Sequence, residues 1–160
     1  MERSGEKWNE SVKEGIAMFI GEYEHSVDEK GRVLIPTKFR TKLGEKFIVT
    51  KGLETCLYIY TMDEWEKFEE KLRALPFSSK DARNFTRFFL AGAEECEIDK
   101  QGRVLLPGNL RAYAELEKAI TSIGVSNRIE IWGTDKWNKY NDDESFDASE
   151  LAEKMASLGI

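Results

Sequence analysis

Residues 28–40 read DEKGRVLIPTKFR, and residues 99–111 read DKQGRVLLPGNLR; seven of the thirteen positions are identical. Each string opens on an aspartate, sets a glycine three residues on and an arginine directly after it. Each then runs through a short apolar stretch into a proline and closes on a second arginine. Aspartate and glycine at this spacing are turn chemistry: the carboxylate accepts a backbone N–H two residues on, and glycine adopts positive φ without penalty. Pro36 and Pro107 end the strand that follows, because proline has no N–H to donate and holds its predecessor extended. The pattern predicts a turn, a short strand, then one or two helical turns over TKFRTKLG (37–44) and GNLRAYAE (108–115).

The echo extends outward in both directions. EYEHSVD (22–28) precedes the first string and AEECEID (93–99) the second. Downstream, FIVTKG (47–52) answers AITSIG (119–124), and LYIYTMDEWEK (57–67) answers IEIWGTDKWNK (129–139), keeping Asp63/Asp135, Trp65/Trp137 and Lys67/Lys139. Order and spacing held over roughly fifty residues mark an internal duplication rather than shared composition. Each repeat predicts an alternating strand (19–27; 93–98), the turn and short strand, the helical turns, two more strands (46–51 and 56–60; 118–123 and 128–132) and a Trp-bearing helix. Thr61 and Glu64 are spaced as a capping box. Between the repeats, Ser78-x-x-Asp81 starts a helix with Ala82, Phe85, Phe88 and Phe89 on one face and Arg83 and Arg87 on the other. A last helix is expected at 148–157, with Asp147 and Glu150 spaced for its cap. The fold class read from this order is α+β.

At 160 residues the chain is one body or two small modules. A unit of about 60 residues buries too little surface to be comfortable alone, so two such units gain by sharing a core. No apolar run approaches the roughly 20 residues of a membrane span, and the polar N-terminus has no secretory apolar core. Cys56 and Cys96 lack CxxC spacing, and His25 is the lone histidine, so neither a metal site nor a cofactor is expected. Two reduced thiols suit the cytoplasm. The net charge of −6 argues at first against a polyanionic partner. Its distribution argues otherwise: residues 141–160 carry six acidic side chains against Lys154 alone, while both quoted strings are locally basic. Local field governs where a polyanion docks.

Catalysis finds no support. His25 is replaced by Cys96 in the second copy, whereas a duplicated active site would keep its base. Asp28 and Asp99 are accounted for as turn formers, and Gly31 and Gly102 are solitary, unlike a phosphate-cradling loop. The chain is read as a non-enzyme. The cations are more informative. Arg32 and Arg103 follow the turn glycines, and each has a plain alternative as partner of the aspartate four residues before it. A hairpin requires the glycine but not the arginine, yet the Asp-x-x-x-Arg pair stands in both copies. A duplicated, turn-borne guanidinium suits base-edge or phosphate recognition, because its planar fork binds two acceptors at once. Lys30, Lys38, Arg40, Lys100 and Arg111 would then be positioning contacts to phosphates. Trp65 and Trp137 read as core anchors.

The stretches MFIGEYEHSVDEKGRVLIPTKFR and AGAEECEIDKQGRVLLPGNLR resemble the two halves of the MraZ family, bacterial transcription regulators related to AbrB and SpoVT; the similarity covers about Met18 to Tyr140. The resemblance implies tandem SpoVT-AbrB-type repeats in a double swapped-hairpin β-barrel with short flanking helices. It implies binding to double-stranded DNA at spaced promoter repeats of the division and cell-wall gene cluster. It further implies ring-shaped homo-oligomers, with an octamer as candidate size, a cytoplasmic, nucleoid-associated location and no membrane partner. The family's DNA-contacting motif maps onto Asp28 and Arg32 and onto Asp99 and Arg103, with Lys30, Lys38 and Arg40 beside it. The second copy departs from the first, with Asn109 for Lys38 and Gly108 for Thr37. On this reading 1–17 is an N-terminal extension, 18–75 the first repeat, 76–91 a linking helix, 92–140 the second repeat and 141–160 an acidic tail. A rival reading is an AbrB-like protein-interaction module of the antitoxin type.

Overall fold

Eight strands and six α-helices follow one another through residues 18–142 and 147–159, the residues described by the computed structural model. The extension read at 1–17 and the tail residues 143–146 lie outside them. In chain order these are β1 (Phe19–Ser26), β2 (Arg32–Leu34), α1 (Thr37–Leu43), β3 (Lys46–Lys51), β4 (Leu57–Thr61), α2 (Met62–Arg73) and α3 (Lys80–Gly92). The second half repeats the order with β5 (Glu94–Glu97), β6 (Arg103–Leu105), α4 (Gly108–Tyr113), β7 (Ala119–Ser126), β8 (Ile129–Gly133) and α5 (Thr134–Asn141). Helix α6 (Ala148–Met155) and a 3₁₀ turn (Ala156–Leu158) close the chain.

Local chemistry explains the boundaries. Pro36 and Pro107 stand at the N-caps of α1 and α4, where a missing N–H costs nothing. Thr61 accepts a hydrogen bond from the Glu64 N–H at the start of α2, and Asp147 accepts from the Ser149 and Glu150 N–H groups at the start of α6. The linking helix is capped by Ser79 rather than Ser78. The Ser79 hydroxyl accepts from the Ala82 N–H, while its own N–H is bonded to the Pro76 carbonyl.

All sheet pairings are antiparallel. Six strands form one sheet in the order β1-β7-β8-β4-β3-β5, and β2 and β6 form a separate two-stranded ribbon. The outer strands cross between repeats: β1 of the first pairs with β7 of the second, and β5 of the second pairs with β3 of the first. The expected closed barrel is not found among the described residues. The sheet ends at β1 and β5, and the ribbon is tied to those ends only by the single bridges Val27–Val33 and Ile98–Val104. Strands of three residues are too short to carry a ladder around the circumference.

Both faces of the central strands are covered, so β4 and β8 are buried at nearly every position rather than alternating. On one side Phe47, Val49, Leu57, Ile59, Ile120, Ile129 and Ile131 pack against the ribbon's Val33 and Val104 and against Phe39 and Leu110 of α1 and α4. On the other side Tyr58, Tyr60 and Trp132 meet Trp65 and Leu72 of α2 and Phe89 of α3. Trp65 is buried, and Trp137 is half-buried with its ring 5.2 Å from Trp132, so both act as anchors of this second layer. On α3 the face read from the sequence turns inward at Phe89, while Phe85 at its margin stays 43% exposed. The buried Glu130 carboxylate accepts from Trp132 Nε1 at 2.9 Å and from Arg128 Nη2 at 2.8 Å, so its charge is paired.

Candidate nucleic-acid interface

The two quoted strings meet at the ribbon. Within each, the chain doubles back through a tight turn: Gly31 N–H donates to the Asp28 carbonyl and Asp28 N–H to the Arg32 carbonyl, at 3.0 and 2.9 Å. Gly102 and Asp99 repeat the pair at 3.0 and 2.8 Å. Gly31 and Gly102 have φ of +86° and +80°, the left-handed region in which a Cβ is strained. Asp28 Oδ1 accepts from the N–H groups of Lys30 and Arg32, and Asp99 Oδ1 from those of Gln101 and Arg103. The second carboxylate oxygen is left for the arginine, with Arg32 Nε donating to Asp28 Oδ2 at 2.7 Å and Arg103 Nε to Asp99 Oδ2 at 3.0 Å. The backbone N–H of the arginine, followed by its side chain and the N–H two residues along the turn, holds each carboxyl below its ordinary range, against a smaller opposing effect of burial.

The plain reading of the arginines, as partners of their aspartates, is thus present in the geometry. It does not use them up. The aspartate takes Nε and fixes the guanidinium plane. Arg103 Nη2 donates to Gln101 Oε1, and the terminal nitrogens of Arg32 have no partner among the described residues. The two side chains are 28% and 29% exposed. Donors oriented in this way are arranged to receive two acceptors at once.

Each turn is held by the opposite repeat. Ile35 N–H donates to the Gly102 carbonyl and Leu106 N–H to the Gly31 carbonyl, at 2.9 and 3.1 Å. Arg40 Nε donates to the Ile35 carbonyl at 2.7 Å, and its guanidinium lies on the α-carbon of Gly102. Arg111 Nε donates to the Leu106 carbonyl at 3.0 Å and lies on Gly31, where an added Cβ would stand 2.6 Å from Arg111 Cζ. Both arginines are half-buried, so each can offer only its outer nitrogens to a ligand. Lys30, Lys38 and Lys100 are exposed around the ribbon. The ribbon therefore gathers Asp28, Arg32, Asp99 and Arg103, with Arg40 and Arg111 behind the turns and the three lysines outside.

Sequence reasoning missed the contact of Arg40 and Arg111 with the glycines of the other repeat, and it passed over Leu34 and Leu105. Each leucine lies two residues beyond a turn arginine, so strand alternation places it on the same face of the ribbon as the arginine. His25 is half-buried with Nε2 2.7 Å from Ser122 Oγ, and burial lowers its pKa. Its ring is engaged inside the sheet, on the strand where its alternation placed it.

The sequence is similar to those of known proteins over most of its length. A protein named transcriptional regulator MraZ from Acetivibrio thermocellus is 62% identical over 143 residues, covering 89% of this chain and all of that protein. Proteins of the same name from Clostridium tetani and Alkaliphilus metalliredigens are 60% and 55% identical over the same coverage. A family model for the MraZ protein, whose description likens it to antitoxins, matches twice in succession, at residues 18–88 and 89–158. Two tandem matches and identities of this order over nearly the whole length place the chain in the MraZ family.

Proposed function

We propose that this protein is a sequence-specific, DNA-binding regulator of transcription that grips duplex DNA through its twin turns. Arg32 and Arg103, oriented by Asp28 and Asp99, are the recognition groups. Lys30, Lys38 and Lys100, with the outer nitrogens of Arg40 and Arg111, are the phosphate contacts. The observation that carries the reading is the doubled Asp-x-x-x-Arg turn, which brackets one ribbon built from both repeats and presents two oriented guanidinium groups. A two-stranded ribbon fits the major groove, where an arginine fork matches the guanine edge. The relatives' shared name agrees with this activity.

The cross-repeat pairing supports the swapped-hairpin arrangement, with each repeat completing the other. We extend the reading to a ring-shaped homo-oligomer on spaced promoter repeats of the division and cell-wall genes, in the cytoplasm on the nucleoid. One chain makes few phosphate contacts and binds weakly at physiological salt. A ring makes later contacts intramolecular, which raises avidity by about 10²–10⁴ without new chemistry and accounts for useful binding by an acidic chain.

Arg32→Ala and Arg103→Ala, tested by gel shift at two salt concentrations, are expected to lose the shift while melting within a few degrees of the parent. An unchanged shift, or loss only through unfolding, contradicts the proposal. A folded parent chain that shifts no duplex even at low salt would move the weight to the antitoxin-like, protein-binding reading, in line with the family description.

A further inference from the structure

The outward face of the ribbon carries four side chains. In its register Arg32 stands opposite Leu105, Val33 opposite Val104 and Leu34 opposite Arg103. The valines point inward and are fully buried. Arg32, Leu34, Arg103 and Leu105 therefore share the other face, each guanidinium beside a leucine supplied by the other repeat. The leucines are 43% and 59% exposed, although they sit among the charged side chains of the turns. Nothing in the core calls for them, since Val33, Ile35, Val104 and Leu106 already fill the inward positions. A strand residue facing water between two arginines would ordinarily be polar, yet both copies hold leucine here.

Resting on the DNA-binding reading, we infer that Leu34 and Leu105 are specificity-determining residues that pack on the C5-methyl groups of thymines in the major groove. Directly opposed residues of an antiparallel pair have Cβ atoms about 5 Å apart, close to one or two base-pair steps. An arginine that grips a guanine edge thus carries a leucine over an adjacent or next-adjacent base pair. The thymine methyl is the one apolar feature that the groove presents there. The exposed lysines at 30, 38 and 100 favour a polyanion as occupant over an apolar protein surface.

The test starts from a duplex selected by the full chain from a random pool. Its thymines are replaced one at a time by deoxyuridine, which lacks only the methyl. Substitution at one or two positions is expected to weaken binding by about fourfold each, the effect of exposing one buried methyl. Leu34→Ala and Leu105→Ala should each weaken binding to the thymine duplex by a similar factor and remove the thymine–uracil difference at one position. Leu53→Ala, equally exposed but on the β3–β4 connection, should change neither. Neutral deoxyuridine throughout, a selected duplex without thymine, or a pattern of thymine–uracil differences that neither leucine variant alters overturns the inference while leaving DNA binding in place. Failure to retain any duplex at low salt overturns the DNA reading and this inference with it. Leucine variants that alter oligomer size instead of base preference assign the leucines to self-association and overturn it too.

Discussion

At the scale of single residues, Asp28 and Asp99 carry the most consequence. Each carboxylate closes its turn through two backbone N–H groups and still fixes an arginine through the remaining oxygen. Those interactions favour the charged form and lower the folded-state pKa below the unfolded one. The stabilisation is therefore complete above the ordinary aspartate value of about 3.9 and is lost as pH falls through the depressed folded value. Turn geometry and the orientation of Arg32 and Arg103 should not vary between about pH 5 and 8 on account of these groups. Carboxyl-carbon NMR titration checks this: both midpoints are expected below the ordinary value, and a midpoint at or above it contradicts the account. The aspartate's turn role was legible because it is local, an oxygen reaching two residues along its own chain. The role of Arg40 was not, because its contact is Gly102 in the other repeat, and nothing in the composition near position 40 names that partner.

At the scale of elements, the turns before β2 and β6 are shaped by the helices opposite. Gly31, Gly102 and Gly44 have nearly the same positive φ, but they differ in what surrounds them. A Cβ at Gly44 would meet nothing within 4 Å, whereas at Gly31 it would meet the Arg111 guanidinium at 2.6 Å, and at Gly102 it would collide with that of Arg40. Gly44→Ala should cost about 1–3 kcal/mol from the backbone alone, because φ 84° with ψ 179° is a conformation that side chains hardly adopt. At Gly31 and Gly102 the substitution should cost roughly 1 kcal/mol beyond the backbone penalty itself, since an arginine must also leave its carbonyl. Urea denaturation of Gly31→Ala with and without Arg111→Ala, and of Gly102→Ala with and without Arg40→Ala, measures the difference, and equal costs in the two backgrounds would show the arginine contact to be dispensable. Element type was readable where local chemistry decides it: Pro36 and Pro107 ended strands, and the Thr61 hydroxyl capped a helix. At Ser78 and Ser79 two adjacent residues offer the same hydroxyl, and the choice depends on the bond from Ser79 N–H to Pro76, a feature of the loop's path rather than of residue type.

At the scale of the molecule, the pairing pattern makes the repeats interdependent. Residues 18–91 alone would keep the β3–β4 hairpin, but β1 would lose β7 and β2 would lose β6. Residues 92–160 alone would keep β7–β8 and lose the partners of β5 and β6. A lone hairpin is marginal in water, and the core under the ribbon draws Val33, Ile35 and Phe39 from one half and Val104, Leu106 and Leu110 from the other. Neither half should unfold cooperatively by itself, and mixing the two should restore a cooperative transition followed by circular dichroism. A half that melts cooperatively alone would refute the shared core. The duplication was plain in the sequence because it is a comparison of the chain with itself. The open sheet was not, because closure depends on how far three-residue strands can carry a ladder.

The ribbon's imperfect dyad has a directional consequence. Strands β2 and β6 mirror each other about Val33 and Val104, but the flanks do not match, since Lys38 on one side answers to Asn109 on the other. A true homodimer has no head or tail. This single chain has both, so on the proposed DNA-binding reading it would lie on a duplex in one preferred sense, and successive copies on spaced repeats would all point the same way.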